Sequence, residues 1–423
     1  MKWLLFLLNF LTFSAFAQSE FNRYFTEGSM RVDFMMAGNA QTTRIYLHSL
    51  EKEQFWGGSV RNLVDTLNYG TFLFTLSEPE TGNVIFSRGF CTLYDEWQTT
   101  PEAKITHRSF FQTVTFPFPK DKVKFQLYER GRNGYLSNVF SVIIQPDDIF
   151  IGTKTSGSYE VTEILRSGDP SKNVDIVFIP EGYTKKDMNK FVNDVKRLCD
   201  TLFNVNPFKT YKNRFNISAV MSPSAEQGTD IPGEGIWKNT IVNSTFYTFN
   251  TDRYLSVPDY WKLRDIAAAV PYDQICVLVN TDMYGGGGIF NHYNISTSDN
   301  RFSSEVFIHE FGHGFGGLGD EYYTSEVTYE NFYPLDIEPW EPNLTTLVDF
   351  EKKWKDMVPP GTPVPTPDSD QYKNNPGAFE GGGYMAKGIY RPQSDCRMLS
   401  LKEKSFCKVC VNSFDKMIRW ISD

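Results

Sequence analysis

Short runs of alternating apolar and polar residues fill the N-terminal part of the chain. Between about residues 28 and 146 they read TRIYLHS, GTFLFTLSE, NVIFSRGFCTLY, FQTVTFPF, VKFQLYER and SNVFSVII, with glycine, proline, asparagine and aspartate between them. A period of two sends neighbouring side chains to opposite faces of a strand. Repeated short strands punctuated in this way predict an all-β sandwich. Polar turn formers then dominate PDDIFIGTKTSGSYEVTEILRSGDPSKN, near residues 147–172, and mark a boundary.

Beyond that boundary the period changes. DIVFIPEGYT (175–184), FNISAVMS (215–222) and QICVLVNT (274–281) are continuous apolar runs of strand length. Met188, Phe191, Val195, Leu198 and Leu202 recur at helical spacing through 185–204, and a second long helix is expected near 258–269. Strands alternating with helices predict an α/β domain. Four glycines at 285–288 read either as a flexible turn or as an edge strand open to a substrate backbone. Residues 324–380, with the Pro-rich VPPGTPVPTPDSD, read as an insertion, either a rim over a cleft or an irregular excursion. The expected architecture is multidomain: a β-sandwich at 18–150, then an α/β domain at 151–423.

The first residues, MKWLLFLLNFLTFSAFAQSE, combine an early lysine, an apolar stretch and a small-x-small Ala15-Phe16-Ala17. That pattern predicts a signal peptide at 1–17, with the mature chain starting at Gln18 and exported to the periplasm, the cell surface or the medium. No later segment is long and apolar enough to predict a transmembrane span. The balance of 42 basic against 51 acidic residues, −9 overall, lacks the basic face of a nucleic-acid binder. Of six cysteines, Cys91, Cys199 and Cys276 read as buried thiols, whereas Cys396, Cys407 and Cys410 cluster. Export favours a local disulfide there, its pairing unassigned. A structural zinc site lacks a nearby histidine to complete it.

The candidate chemistry lies in VFIHEFGHGFGGLGDEYY, residues 306–323. Ser303 or Ser304 can cap a helix there, and Glu305 suits its first turn. On that helix His309 and His313 share a face, so that both imidazoles reach one Zn²⁺. Glu310, next to the first histidine, is placed to act as general base on a water. With only five histidines in the chain, a chance pair at this spacing is improbable. Gly316 and Gly317 can turn the chain back and bring in a third ligand. Asp320 is preferred for its short arm, with Glu321 then a hydrogen-bond acceptor for a ligand histidine. Glu321 itself and His292 are the alternative ligands. His48 and His107 each stand alone and read as ordinary strand residues.

HEFGHGFGGLGD resembles the extended zinc motif of the metzincins, H-E-x-x-H-x-x-G-x-x-H/D. His309, Glu310, His313 and Gly316 match it position by position. The third-ligand position falls on Gly319, and the acid comes one place later, at Asp320. Within that clan the HEFGH…G…DEY form is similar to peptidase family M64, the IgA-peptidase family of bacteria. FIPEGYT, the N-terminal strand region and YMAKGIYRPQSDCRMLSLKEKSFCKVC are similar to it too. The resemblance implies a metzincin-like zinc peptidase domain, with Met398 of DCRMLS as a methionine turn beneath the metal. It further implies a zinc endopeptidase acting on protein or peptide substrates, with host immunoglobulin a partner by family analogy alone. Tyr384 or Tyr390 could supply the oxyanion donor. Two other functions fit the residues: an extracellular protein- or glycan-binding module with a non-catalytic zinc site, and a zinc amidase acting on cell-wall peptides.

Overall fold

The computed structural model describes residues 20–153, 159–323 and 332–423. The expected leader at 1–17 lies outside the described residues. The N-terminal part holds eight strands: β1 (Phe25–Asn39), β2 (Thr42–Glu53), β3 (Phe72–Ser77), β4 (Val84–Phe90), β5 (Arg108–Pro119), β6 (Val123–Arg130), β7 (Leu136–Ile144) and β8 (Gly152–Thr153). They form two four-stranded sheets, ordered β5–β1–β2–β8 and β4–β3–β6–β7. Met30, Val32, Phe34 and Met36, every second residue of β1, share one core with Phe74, Phe86, Phe116 and Phe125. NVIFSRGFCTLY is a strand only as far as Phe90. Thr92 and Asp95 then exchange side-chain and backbone hydrogen bonds in a capping box, which starts a six-residue helix, α1 (Leu93–Gln98).

The rest of the chain is mixed α/β. One six-stranded sheet is built from β9 (Glu160–Leu165), β10 (Val174–Glu181), β11 (Phe215–Met221), β12 (Gln274–Val279), β13 (Gly286–Ile289) and β14 (Tyr293–Thr297), in the order β13–β14–β12–β10–β11–β9. Its four central strands are parallel and its two edges antiparallel. Every residue of β10 and β12 is buried, as the continuous apolar runs require of a covered parallel sheet. The helices are α2 (Met188–Leu202), α3 (Tyr260–Ala267), α4 (Ser303–Gly314) and α5 (Lys408–Ser422). α2 buries Phe191, Val195, Leu198 and Leu202. α3 is shorter than the expected 258–269: Asp259 caps its start through Lys262 N–H, and Ala268 closes its end. A hairpin of β15 (Phe379–Gly382) and β16 (Met385–Arg391) lies between α4 and α5. Within the described part of the expected insertion Trp354 is an inward anchor, 1% exposed with its indole N–H bonded to Gly377 O, while most of residues 359–375 are exposed.

The two parts are docked together. The Trp261 ring of α3 lies between His48 and Phe111, at centroid distances of 4.2 and 4.3 Å, and its N–H donates to Gln112 O. The turn joining β13 to β14 sits on the N-terminal sheets: Cys91 N–H donates to Phe290 O at 2.9 Å and Asn291 Nδ2 to Gly89 O at 2.8 Å. Among the described residues no helix is long and apolar enough to cross a membrane.

Candidate metal centre and active site

Helix α4 is not capped by a serine. Phe302 occupies the cap position without a side-chain bond, and Asn300 ties the entry instead, accepting Phe302 N–H on its Oδ1 and Ser303 N–H on its carbonyl. Val306, Phe307, Ile308 and Phe311 are buried. Val306 and Glu310 pack on β13 with no space between: a Cβ on Gly288 would lie 2.2 Å from Glu310 O, and one on Gly286 would lie 2.7 Å from a Val306 methyl and 2.8 Å from Glu310 Oε1. Gly286 and Gly288 therefore make room for the helix, whereas Gly285 and Gly287 make room for the backbone of Arg253 and Leu255, and β13 is a sheet edge rather than a flexible turn. That edge is partly taken by the chain itself, since Leu255 N–H donates to Gly286 O. The helix ends as Gly317 adopts φ +64° and Leu318 N–H returns to Gly312 O. Asn343 locks the next turn, accepting Gly319 N–H and donating to Gly319 O.

His309, His313 and Asp320 converge. The two Nε2 atoms are 3.2 Å apart, and Asp320 Oδ1 lies 3.1 Å from His309 Nε2 and 3.3 Å from His313 Nε2. His309 Nδ1 is 3.0 Å from Arg397 O and His313 Nδ1 is 2.6 Å from Leu318 O. A carbonyl can only accept, so each Nδ1 carries a proton and each neutral ring turns a bare Nε2 lone pair inward. Three acceptors facing one another with no proton between them repel. A cation fits that set: a tetrahedral zinc at about 2.0–2.1 Å spaces its nitrogen and oxygen ligands about 3.3 Å apart. Without an ion, the set takes up a proton. Burial works to lower the His313 pKa, but the Asp320 carboxylate raises it to about 9. Burial would likewise raise Asp320, yet the two histidines hold it well below the usual carboxylate range.

Around this trio, Glu310 rests its carboxylate over Gly286, and burial raises its pKa against the pull of the histidines. Met398 is wholly buried with its sulfur against Gly312, between the two histidines in sequence. Tyr384 donates its hydroxyl to Asp320 Oδ2. Tyr390 is elsewhere, paired through its backbone with Thr345 and lying by Glu380 and Lys387. His292 stacks on Tyr260 and bonds Gln112 Oε1, away from the trio. Glu321 also turns away. It is wholly buried, accepts from Asn343 Nδ2 at 3.0 Å and lies 3.6 Å from Cys410 Sγ. Main-chain carbonyls, not Glu321, orient the two histidines. No disulfide forms in the cysteine cluster: the closest sulfurs are 3.5 and 3.8 Å apart, well beyond an S–S bond of about 2.05 Å. Sequence reading missed Asn300, Asn343 and Tyr322, whose ring stacks on His309 at 5.8 Å. Only Tyr322, next to the acid pair, carried a signal in its position.

Comparison with known proteins fits this geometry. No curated protein matches the chain. A sequence profile described as IgA Peptidase M64 matches residues 162–375 and 368–418, which take in α4, Asp320, Tyr384 and Met398. A second, described as Peptidase M64 N-terminus, matches residues 20–141, which take in most of the two docked sheets. Together they cover essentially the whole described chain, so the protein belongs to peptidase family M64 and is a peptidase, a hydrolase.

Proposed function

We propose that this chain is an exported zinc endopeptidase that cleaves proteins, with a leader at 1–17, a β-sandwich at 18–150 and a metzincin-like catalytic domain at 151–423. The observation that carries the reading is the convergence of two histidine Nε2 atoms and one carboxylate oxygen on one point, with a second carboxylate beside them. His309, His313 and Asp320 would hold Zn²⁺. When bound, the ion supplies Lewis acidity for the attacking water and the scissile carbonyl. Glu310 takes the proton of that water on a carboxylate oxygen and returns it to the leaving amine. Burial moves its pKa upward from the ordinary carboxylate value, the direction that a group serving first as base and then as acid requires. Tyr384 positions Asp320 through its hydroxyl. The family description names IgA, so an immunoglobulin is the first folded substrate to test, beside a broad peptide library.

Replacing Glu310 with Gln keeps the shape and removes the base. The variant is expected to retain its zinc and to lose about 10²–10⁴-fold in kcat. Cleavage at the parent rate would end the assignment. Parent protein that binds zinc and cuts no peptide in the library would favour a binding module, and cleavage confined to short cell-wall peptides an amidase.

A further inference from the structure

A second set of donors lies behind the first. Glu321, Cys396, Cys407 and Cys410 are all buried and each offers one ligand atom, the four atoms lying within 4.8 Å of one another. Cys410 Sγ is 3.5 Å from Cys407 Sγ, 3.8 Å from Cys396 Sγ and 3.6 Å from Glu321 Oε1. A tetrahedral zinc, with sulfur at about 2.3 Å and oxygen at about 2.0–2.2 Å, spaces its ligands about 3.5–3.8 Å apart. Thiols merely packed together would show similar separations, so the carboxylate decides the matter. Glu321 is wholly buried, its Oε1 accepts from Asn343, and its Oε2 has no hydrogen-bond partner. A carboxylate buried in that way among thiols is costly to ionise, and a cation in the shared space offsets that cost.

The backbone favours thiolates here. Cys407 occupies the N-cap position of the 15-residue helix α5 without a side-chain cap bond, and Cys410 sits in its first turn, where the helix dipole stabilises negative charge. Cys407 N–H also donates to Cys396 Sγ at 3.3 Å. We propose that Cys396, Cys407, Cys410 and Glu321 bind a second zinc ion in a closed, non-catalytic site. Three soft sulfur donors and one oxygen in a tetrahedral set select Zn²⁺ over oxygen-seeking Mg²⁺ or Ca²⁺. The site's position gives it a task. Glu321 directly follows Asp320, and Cys396 directly precedes Arg397, whose carbonyl accepts the His309 Nδ1 proton. Glu321 N–H meanwhile donates to Met398 O at 3.0 Å. The second ion ties the turn that presents Asp320 to the turn that orients His309.

The test is metal analysis of the purified full-length protein and of a His309→Ala/His313→Ala variant. Two zinc ions per chain are expected in the parent and one in the variant. Cobalt exchanged into that variant is expected to show the near-ultraviolet sulfur-to-metal charge-transfer band of thiolate ligation. A Cys407→Ser/Cys410→Ser variant should lose the band, and if it does not fold, the histidine variant alone carries the test. One zinc in the parent and none in the histidine variant would overturn the second site while leaving the peptidase centre intact. Retained cobalt without the charge-transfer band would overturn it too, as would a disulfide among the three cysteines in unreduced peptide maps. One zinc in both proteins, with the thiolate band, would support this site and remove the catalytic one.

Discussion

His309 and His313 are set by their outer nitrogens as much as by their inner ones. Each Nδ1–H is committed to a main-chain carbonyl, so the tautomer that leaves Nε2 bare is built into the fold. Metal binding would still have to displace the proton that the cluster takes up without an ion. The His313 pKa is raised from 6.5 to about 9 in the ion-free chain, so the folded ion-free state gains stability below about pH 6.5 and loses that gain as pH rises to 9. Metal affinity moves the other way, weakening about tenfold per unit as pH falls below 9. The gap in Tm between zinc-loaded and zinc-free protein is therefore expected to narrow from pH 9 to 6.5, and a constant gap would contradict the shared cluster. Tyr384→Phe removes the hydroxyl on Asp320 Oδ2. Losing an orienting bond of this kind costs about 10–100-fold in metal affinity, measurable by competition with a chelator. An unchanged affinity with a lower kcat would instead place the hydroxyl on the substrate. The histidine pair was legible in sequence because i, i+4 spacing is local. Asn343 was not, because nothing near Gly319 in sequence announces a partner from beyond the loop.

At the scale of elements, the close approach of α4 to β13 governs the site. The strand runs were legible from their period, and so was the apolar character of β10 and β12. What the residues at 285–288 touch was not, because a glycine run reads the same whether it frees a turn or makes room for a helix. Thr92 shows the same limit: the apolar alternation of NVIFSRGFCTLY conceals a cap that stops the strand. Gly288→Ala tests the packing. The new Cβ would meet Glu310 O at 2.2 Å and the His313 Cβ at 3.0 Å, both on the helix that carries the site. Overpacking of this kind costs about 1–3 kcal/mol, and because the helix must move, zinc affinity is expected to fall with stability. Chemical denaturation and zinc titration of the same variant check the pair. Lost stability with unchanged zinc affinity would mean that the strand, not the helix, gives way.

At the scale of the whole molecule, the N-terminal sheets support the centre rather than merely adjoining it. They seat the β13–β14 turn, and β13 in turn lies under Glu310. The junction is also ionic. Arg31 on β1 is fully buried, 2.7 Å from Asp33 and 2.7 Å from Asp265 of α3, with Glu53 at 3.6 Å. Met30, Val32 and Phe34 form one face of β1 and Arg31 and Asp33 the other, and docking covers the second face as well as the first. Arg31→Met keeps the bulk and leaves the buried Asp33 and Glu53 without their counter-charge. Removing one partner of such a set costs about 3–5 kcal/mol. Because α3 and the seated turn belong to the same junction, the loss should propagate to both halves. Calorimetry is expected to show one transition shifted down as a unit, with peptidase activity falling along the same temperature curve. Two transitions, only the first of them shifted, would mean that the sheets fold and melt independently of the centre they rest on.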